Sequence, residues 1–411
     1  GQTCLGANTT GGNNTAVGRN TLSANTEGGN NSALGYQALS NNTTASNNVA
    51  VGYNSLLSNT TGTENTAVGA NALDAATTAD HNTAVGHNSL TTNTTGSENT
   101  AVGQGSLGSN TTGANNTALG YLALVLNSTA SNNTAVGYNS LATNTTGTEN
   151  VSVGAFALDA NTTGDTNTAV GYVALSSNAS GASNTAVGRA ALFTNTASNN
   201  TAVGKEALKL NTSGADNTAV GLSALLVNTT GNQNTAVGAN ALDANTTGQE
   251  NTAVGYHSLG ATTTGSSNTA VGHECGTSNT TGQRNVAVGN TTLYYNTTGN
   301  DNTAVGRGAL SANTTASFNT AVGKSALYFN TTGANNTAVG YQALEDNTTG
   351  GLNAAFGREA LYKNTTGNQN TACGTYTLYE NLTGIENTAV GYVALEKNTA
   401  SYNTAVGSRS L

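Results

Sequence analysis

The chain has 411 residues, a net charge of −9 and only 8% charged residues, its 11 Lys and Arg being scattered singly. That balance offers no basic stripe to nucleic acid and no basic amphipathic helix to an anionic membrane, and no apolar run approaches the ~18 residues of a membrane span. Pro, Met and Trp are absent; Asn, Thr, Gly, Ala and Ser stand where a globular domain has charged and large apolar residues.

From Gly1 to Val17 the chain spells a unit that then recurs. Its consensus is G-Y-x-A-L-x-x-N-T-T-G-x-x-N-T-A-V, and positions below are numbered within this unit. The unit returns every 17 residues, with two 16-residue exceptions at Gly188–Val203 and Gly391–Val406, giving 24 units and a remnant from Gly407. Both deletions fall in the Asn-Thr-Thr-Gly segment, which marks it as a loop. Self-similarity at a short fixed period is the signature of a solenoid. The sequence therefore predicts an all-β fold: a parallel β-solenoid (β-roll) of 24 tandem 17-residue coils, forming a single repeat array over 1–411. A helix is excluded by the fixed Gly and Asn-Thr runs in every unit.

Within each coil the pattern predicts two short strands. Thr-Ala-Val is the first, closed by a Gly that supplies a backbone conformation or an approach that a Cβ would obstruct. The second runs through the x-x-Ala-Leu segment. The remainder is turn chemistry, with the loop Gly expected at positive φ. Neighbouring strand residues point to opposite sides. We therefore expect Val17 and its equivalents inside and Ala16 and its equivalents outside. An outward column of Ala then implies a second chain that covers it. The strictly kept Asn of position 14 (Asn14, Asn31, Asn48, Asn65, Asn82, Asn99 and their successors) is expected to form an amide ladder along the stack.

Asn-Thr-Ala-Val-Gly-x-x-Ala-Leu resembles the head repeat of YadA-type trimeric autotransporter adhesins, whose units carry an Asn-Ser-x-Ala-Ile-Gly-like core. Similar repeats occur in tail-fibre-like proteins. The Asn, the Ala before the β-branched residue and the Gly all match, over all 24 units. The unit here is longer, and the Asn-Thr-Thr-Gly loop accounts for the excess. The resemblance implies a left-handed β-roll of three chains about one axis at a bacterial surface. Expected from it are an extracellular or cell-surface location and a structural or adhesive fibre. The expected partners are further copies in a homotrimer or filament, with glycans or a cell-surface ligand beyond them. Neither nucleic acid nor a membrane is an expected partner of this segment. The chain starts at Gly1 without a signal-peptide pattern and is read as a mature or excised segment.

The repeated chemical motif is the sequon Asn-x-Ser/Thr. At position 8 it occurs in 19 of 24 units: Asn8, Asn42, Asn59, Asn93, Asn110, Asn127, Asn144, Asn161, Asn178, Asn211, Asn228, Asn245, Asn279, Asn296, Asn313, Asn330, Asn347, Asn364 and Asn381. One N-glycan per coil would sheath the rod. The other reading is a favourable Asn-Thr-Thr-Gly turn, since Thr78 and Thr264 persist where the Asn is gone. A sporadic second set sits at position 13, as at Asn13, Asn115, Asn132, Asn199 and Asn335. The four His (His81, His87, His257, His273) occupy scattered positions, and Cys4, Cys275 and Cys373 have no metal spacing and read as small packing residues. No repeated acidic pair or Ser/His/Asp set is present. The sequence thus predicts no catalytic residues, no metal, no cofactor and no enzyme. The alternative to a fibre is an ice-binding solenoid that uses the stacked Thr of Thr-Ala-Val.

Overall fold

The computed structural model describes all residues from 1 to 411. It is all-β, without a helix. By internal contacts the chain divides into two units, Gly1–Lys205 and Glu206–Leu411. The first holds twelve three-residue strands, from β1 (Thr15–Val17) to β12 (Thr201–Val203), and the second another twelve, from β13 (Thr218–Val220) to β24 (Thr404–Val406). In each unit successive strands pair in parallel, one coil apart. Thr100 faces Thr117, Ala101 faces Ala118 and Val102 faces Leu119; in the second unit Thr303, Ala304 and Val305 face Thr320, Ala321 and Val322. Each unit is a β-solenoid.

The strand is short because its sequence ends it. β-Branched residues at both ends favour extended backbone, and the following Gly turns the chain at φ near +137°, as at Gly69 and Gly137. At this position the Gly is needed twice over. The φ is one that L side chains rarely adopt, and a Cβ at Gly86 would stand 2.6 Å from the carbonyl oxygen of Gly103 in the next coil.

The expected second strand does not form. Positions 3 and 5 hold positive φ, for example 53° at Asn54 and 51° at Leu56, or 50° at Asn139 and 52° at Leu141. Extended backbone requires negative φ. The segment still bonds from coil to coil: Asn54 N–H donates to Tyr36 O, Leu56 N–H to Ala72 O and Ser58 N–H to Asp74 O, each at 3.0 Å. A left-handed Leu is costly, at about 1–2 kcal/mol. The cost is offset because the turn drives the Leu side chain inward, where Leu56, Leu141 and their equivalents are fully buried. The loop glycine is also corrected. Gly62 and Gly96 are not among the positive-φ residues; position 13 takes that conformation instead, at Asn13, Glu64 and His81.

The two faces of the strand are the reverse of the expectation. Ala is the inward residue and is 0% exposed in almost every coil, while Val points out, at 54% for Val17 and 37% for Val220. The reason is the width of the coil. Position 16 faces position 4 across the interior. Ser152, the one Ser at position 16, receives a 2.7 Å hydrogen bond from the Ser140 hydroxyl at position 4. Two columns this close must both be small, which explains why position 4 is always Ala, Ser, Thr or Cys. The inference of a covering chain from an outward Ala falls with it. The interior of a coil consists of that small pair, one Leu, two Asn and the Gly or Ala of position 11.

Candidate functional site

The two inward Asn columns carry most of the polar chemistry. At position 14 the backbone N–H of each Asn donates to Oδ1 of the Asn one coil earlier: Asn116 to Asn99, Asn133 to Asn116 and Asn150 to Asn133, all at 3.0 Å. The Nδ2 group reaches the position 11 carbonyl of the following coil, as from Asn133 to Gly147 at 2.9 Å. At position 8 the link is between side chains. Asn127 Nδ2 donates to Asn110 Oδ1 and Asn144 Nδ2 to Asn127 Oδ1, each at 2.9 Å. The same Nδ2 of Asn144 bonds Gly147 O at 2.9 Å. The Gly147 carbonyl thus takes one amide from each column. A third ladder runs beside them, in which the position 9 hydroxyl donates to the position 9 carbonyl of the next coil, as from Thr145 to Thr162 at 3.0 Å. Stacked amides of this kind bind coil to coil where apolar surface is scarce.

This places the sequons. Of the nineteen position 8 residues, Asn8 in the first coil is exposed and the other eighteen are buried. Each buried Nδ2 is the atom that a glycan would occupy, and it is spent on ladder and loop bonds. For each of these residues, carrying a glycan and completing the coil are therefore alternatives. The position 13 residues Asn13, Asn115, Asn132, Asn199 and Asn335 lie on the surface.

The column is interrupted where Ala76 and Thr262 replace the Asn. There the preceding acceptors Asn59 Oδ1 and Asn245 Oδ1 have no hydrogen-bond partner, and neither has Thr262 Oγ1. A buried acceptor left unpaired costs about 1–3 kcal/mol.

Outside, the strands present Thr and Val on one face. Position 17 is solvent-facing yet always apolar or a thiol: where Val is replaced, the residues are Leu34 (50% exposed), Leu119 (47%), Phe356 (43%) and the exposed Cys373. Beside this face runs position 2, where exposed tyrosines stack coil upon coil. Tyr36 and Tyr53 are 5.5 Å apart with rings 8° from parallel, and Tyr121 and Tyr138 are 5.3 Å apart. Arg358 stacks on the rings of both Tyr341 and Tyr376 at 5.6 Å.

The remaining candidate groups are dispersed. His81 lies 3.2 Å from Glu64, and His273 lies 3.7 Å from Glu274 and stacks on Tyr256. Cys275 is buried, and burial pushes its thiol pKa up. No group of three or more His, Cys, Asp or Glu is placed to hold a metal ion. Sequence reasoning missed the corner at positions 6 and 7, which becomes aromatic and charged in the second unit. Burial raises the carboxyl pKa of Glu345, against hydrogen bonds from Gln342 and Tyr362 that lower it. Burial and the nearby Glu345 push the Tyr362 hydroxyl up to about 12, and the Tyr362 ring stacks on Tyr379 at 5.1 Å. The signal was legible in adjacent aromatic residues such as Tyr294-Tyr295 and Tyr328-Phe329, at positions that no coil of the first unit fills with an aromatic pair.

Comparison with known proteins finds no protein-family model that matches the chain, and no match among curated proteins.

Proposed function

We propose that the chain is the repeat segment of an extracellular or cell-surface fibre, structural or adhesive, whose copies associate through the Thr/Val strand face as a homotrimer or filament. The observation that carries this reading is the outward position 17 column. Solvent-facing positions normally drift to polar residues, yet this one stays apolar in coil after coil. A contiguous apolar stripe of that kind marks an interaction surface. In parallel stacks of identical coils the stripe is continuous, which suits a symmetric contact between like chains. The likeness of the repeat to adhesin heads points the same way.

The test is the mass of the particle in solution by light scattering, on the native chain and on a variant with Val136→Lys, Val170→Lys and Val187→Lys. The native chain is expected at a multiple of 40.6 kDa, and the variant at a smaller mass with unchanged circular dichroism. A native chain that runs as a stable monomer at all concentrations overturns the proposal.

One observation favours the alternative. Thr and Val, which are nearly isosteric, share the outward face of the strands. β-Branched tips then repeat at about 4.8 Å between coils and about 6.7 Å along the strand, a regular array on which ordered water can lie. Thermal hysteresis that persists in the monomeric fraction and disappears in Thr→Lys variants of this face would establish ice binding; its absence removes that reading.

A further inference from the structure

In the second unit, one stretch of the array varies sharply in side-chain size at positions 6 and 7. Three consecutive coils carry Tyr294-Tyr295, then Ser311-Ala312, then Tyr328-Phe329 at positions 6 and 7. The middle coil also has Gly308 at position 3, where its neighbours have Thr291 and Ser325. Two aromatic pairs thus flank a coil that is small at positions 3, 6 and 7, with the exposed Arg307 at its position 2. The three coils are held in register by Tyr295 N–H to Ser311 O and Ala312 N–H to Tyr328 O, both 2.9 Å. Each pair is braced internally, with ring centroids 4.7 Å apart and planes 77° apart for Tyr294 and Tyr295, and 4.7 Å and 82° for Tyr328 and Phe329. Tyr328 leans back over Gly308, where a Cβ would stand 3.1 Å from its ring. The result is an open cleft of about 180 Å³ lined by Glu274, Thr291, Tyr294, Tyr295, Ser311 and Tyr328.

The width of the cleft selects its occupant. Backbones two coils apart are about 9.6 Å apart. A single saturated ring in contact with a wall on each side needs about 7–8 Å, twice the optimal carbon–carbon separation. With Tyr328 leaning inward, the space suits one ring and not a stack of two. The lining is mixed, with tyrosine faces on the walls and the hydroxyls of Thr291 and Ser311 and the carboxylate of Glu274 at the floor and rim. A pyranose has that same division, an apolar face of C–H groups and an edge of hydroxyls that need donors and acceptors. The one charged lining group is an acid, so an acidic sugar is disfavoured.

We propose that this notch is a binding site for one uncharged pyranose unit of a glycan. It deepens the adhesive reading by naming a ligand class, and it rests on that reading only for its use at a surface, since sugar binding and self-association are measured separately. The probes are the methyl pyranosides of glucose, galactose, mannose and N-acetylglucosamine, and of sialic acid as the acidic control, followed by saturation-transfer and titration NMR on the whole chain. At least one neutral pyranoside binds with Kd about 1 mM, the scale of one ring in an open site, and the sialoside does not. Tyr295→Ala removes a wall and Ser311→Tyr fills the notch; each weakens binding at least tenfold while the thermal midpoint stays unchanged, both residues being outside the Asn columns. The Val→Lys variant described above binds as the native chain does, which separates this site from the strand face. Absence of binding by every neutral pyranoside, or binding that both notch variants leave intact, overturns the proposal.

Discussion

The two Asn columns are built from the same residue, and almost all their members are buried, yet the chain treats them differently. Position 14 is Asn in all 24 coils, whereas position 8 admits Ala76 and Thr262. The difference lies in what each Oδ1 accepts. At position 14 it receives a backbone N–H from the next coil, as Asn133 Oδ1 does from Asn150. Without that side chain, a buried main-chain donor has no partner. At position 8 the backbone N–H is already satisfied within its own coil: Ala76 N–H bonds Leu73 O and Thr262 N–H bonds Leu259 O. What is lost there is the side-chain link to the neighbour and the Nδ2 bond to the position 11 carbonyl, as from Asn127 to Ala130, and no main-chain donor is left unpaired. A residue is irreplaceable in this fold when the main chain of the next coil depends on it.

Substitutions in and around the two columns should differ widely in cost. The largest effect is expected outside both columns, at the turn glycine that sets their spacing. Gly103→Ala forces an L residue to φ +135° and puts its Cβ 2.6 Å from the Gly120 carbonyl carbon. We expect a loss of about 3 kcal/mol or more in urea unfolding. Next comes Asn133→Ala, at about 2–3 kcal/mol, against about 1 kcal/mol for Asn127→Ala, because only the first leaves a main-chain donor unpaired. Equal losses would remove the distinction. Repairing the broken column should work in the opposite direction. Thr262→Asn supplies the donor that Asn245 Oδ1 lacks and is expected to stabilise by about 1 kcal/mol. The smallest effect concerns pH. The carboxyl pKa of Glu345 is raised in the fold, so the folded chain holds that proton to a higher pH than the unfolded chain does. Its contribution is fully present below the unfolded carboxyl pKa and is lost as pH rises through the folded one. Glu345→Gln should flatten this acid-side slope of the thermal midpoint.

The same contrast shows what could be read from the residues. The coil, its length and the loop were legible because deletions, the recurring Gly and the Asn-Thr runs mark them directly. The direction of the strand was not. Alternation alone says that Ala16 and Val17 point to opposite sides; it does not say which of them faces inward. What decides the matter is the small residue at position 4, which is constrained because it faces position 16 across a narrow interior. The second strand failed for a related reason. Leu at position 5 looks extended beside Ala, but its side chain reaches the interior only through a left-handed turn, and nothing in the identity of a Leu announces positive φ. At position 8 the sequon pattern overlaps the ladder pattern in its Asn alone: the sequon needs the hydroxyl residue of position 10, whereas the ladder uses the hydroxyl of position 9, as at Thr145.

Amide hydrogen exchange tests the central distinction most directly. In Asn133→Ala the Asn150 amide loses its acceptor, whereas in Asn127→Ala the Asn144 amide keeps its bond to Leu141 O. The distinction between the columns requires faster exchange at Asn150 in the first variant and unchanged exchange at Asn144 in the second. Equal acceleration at both amides, or none at Asn150, would contradict it.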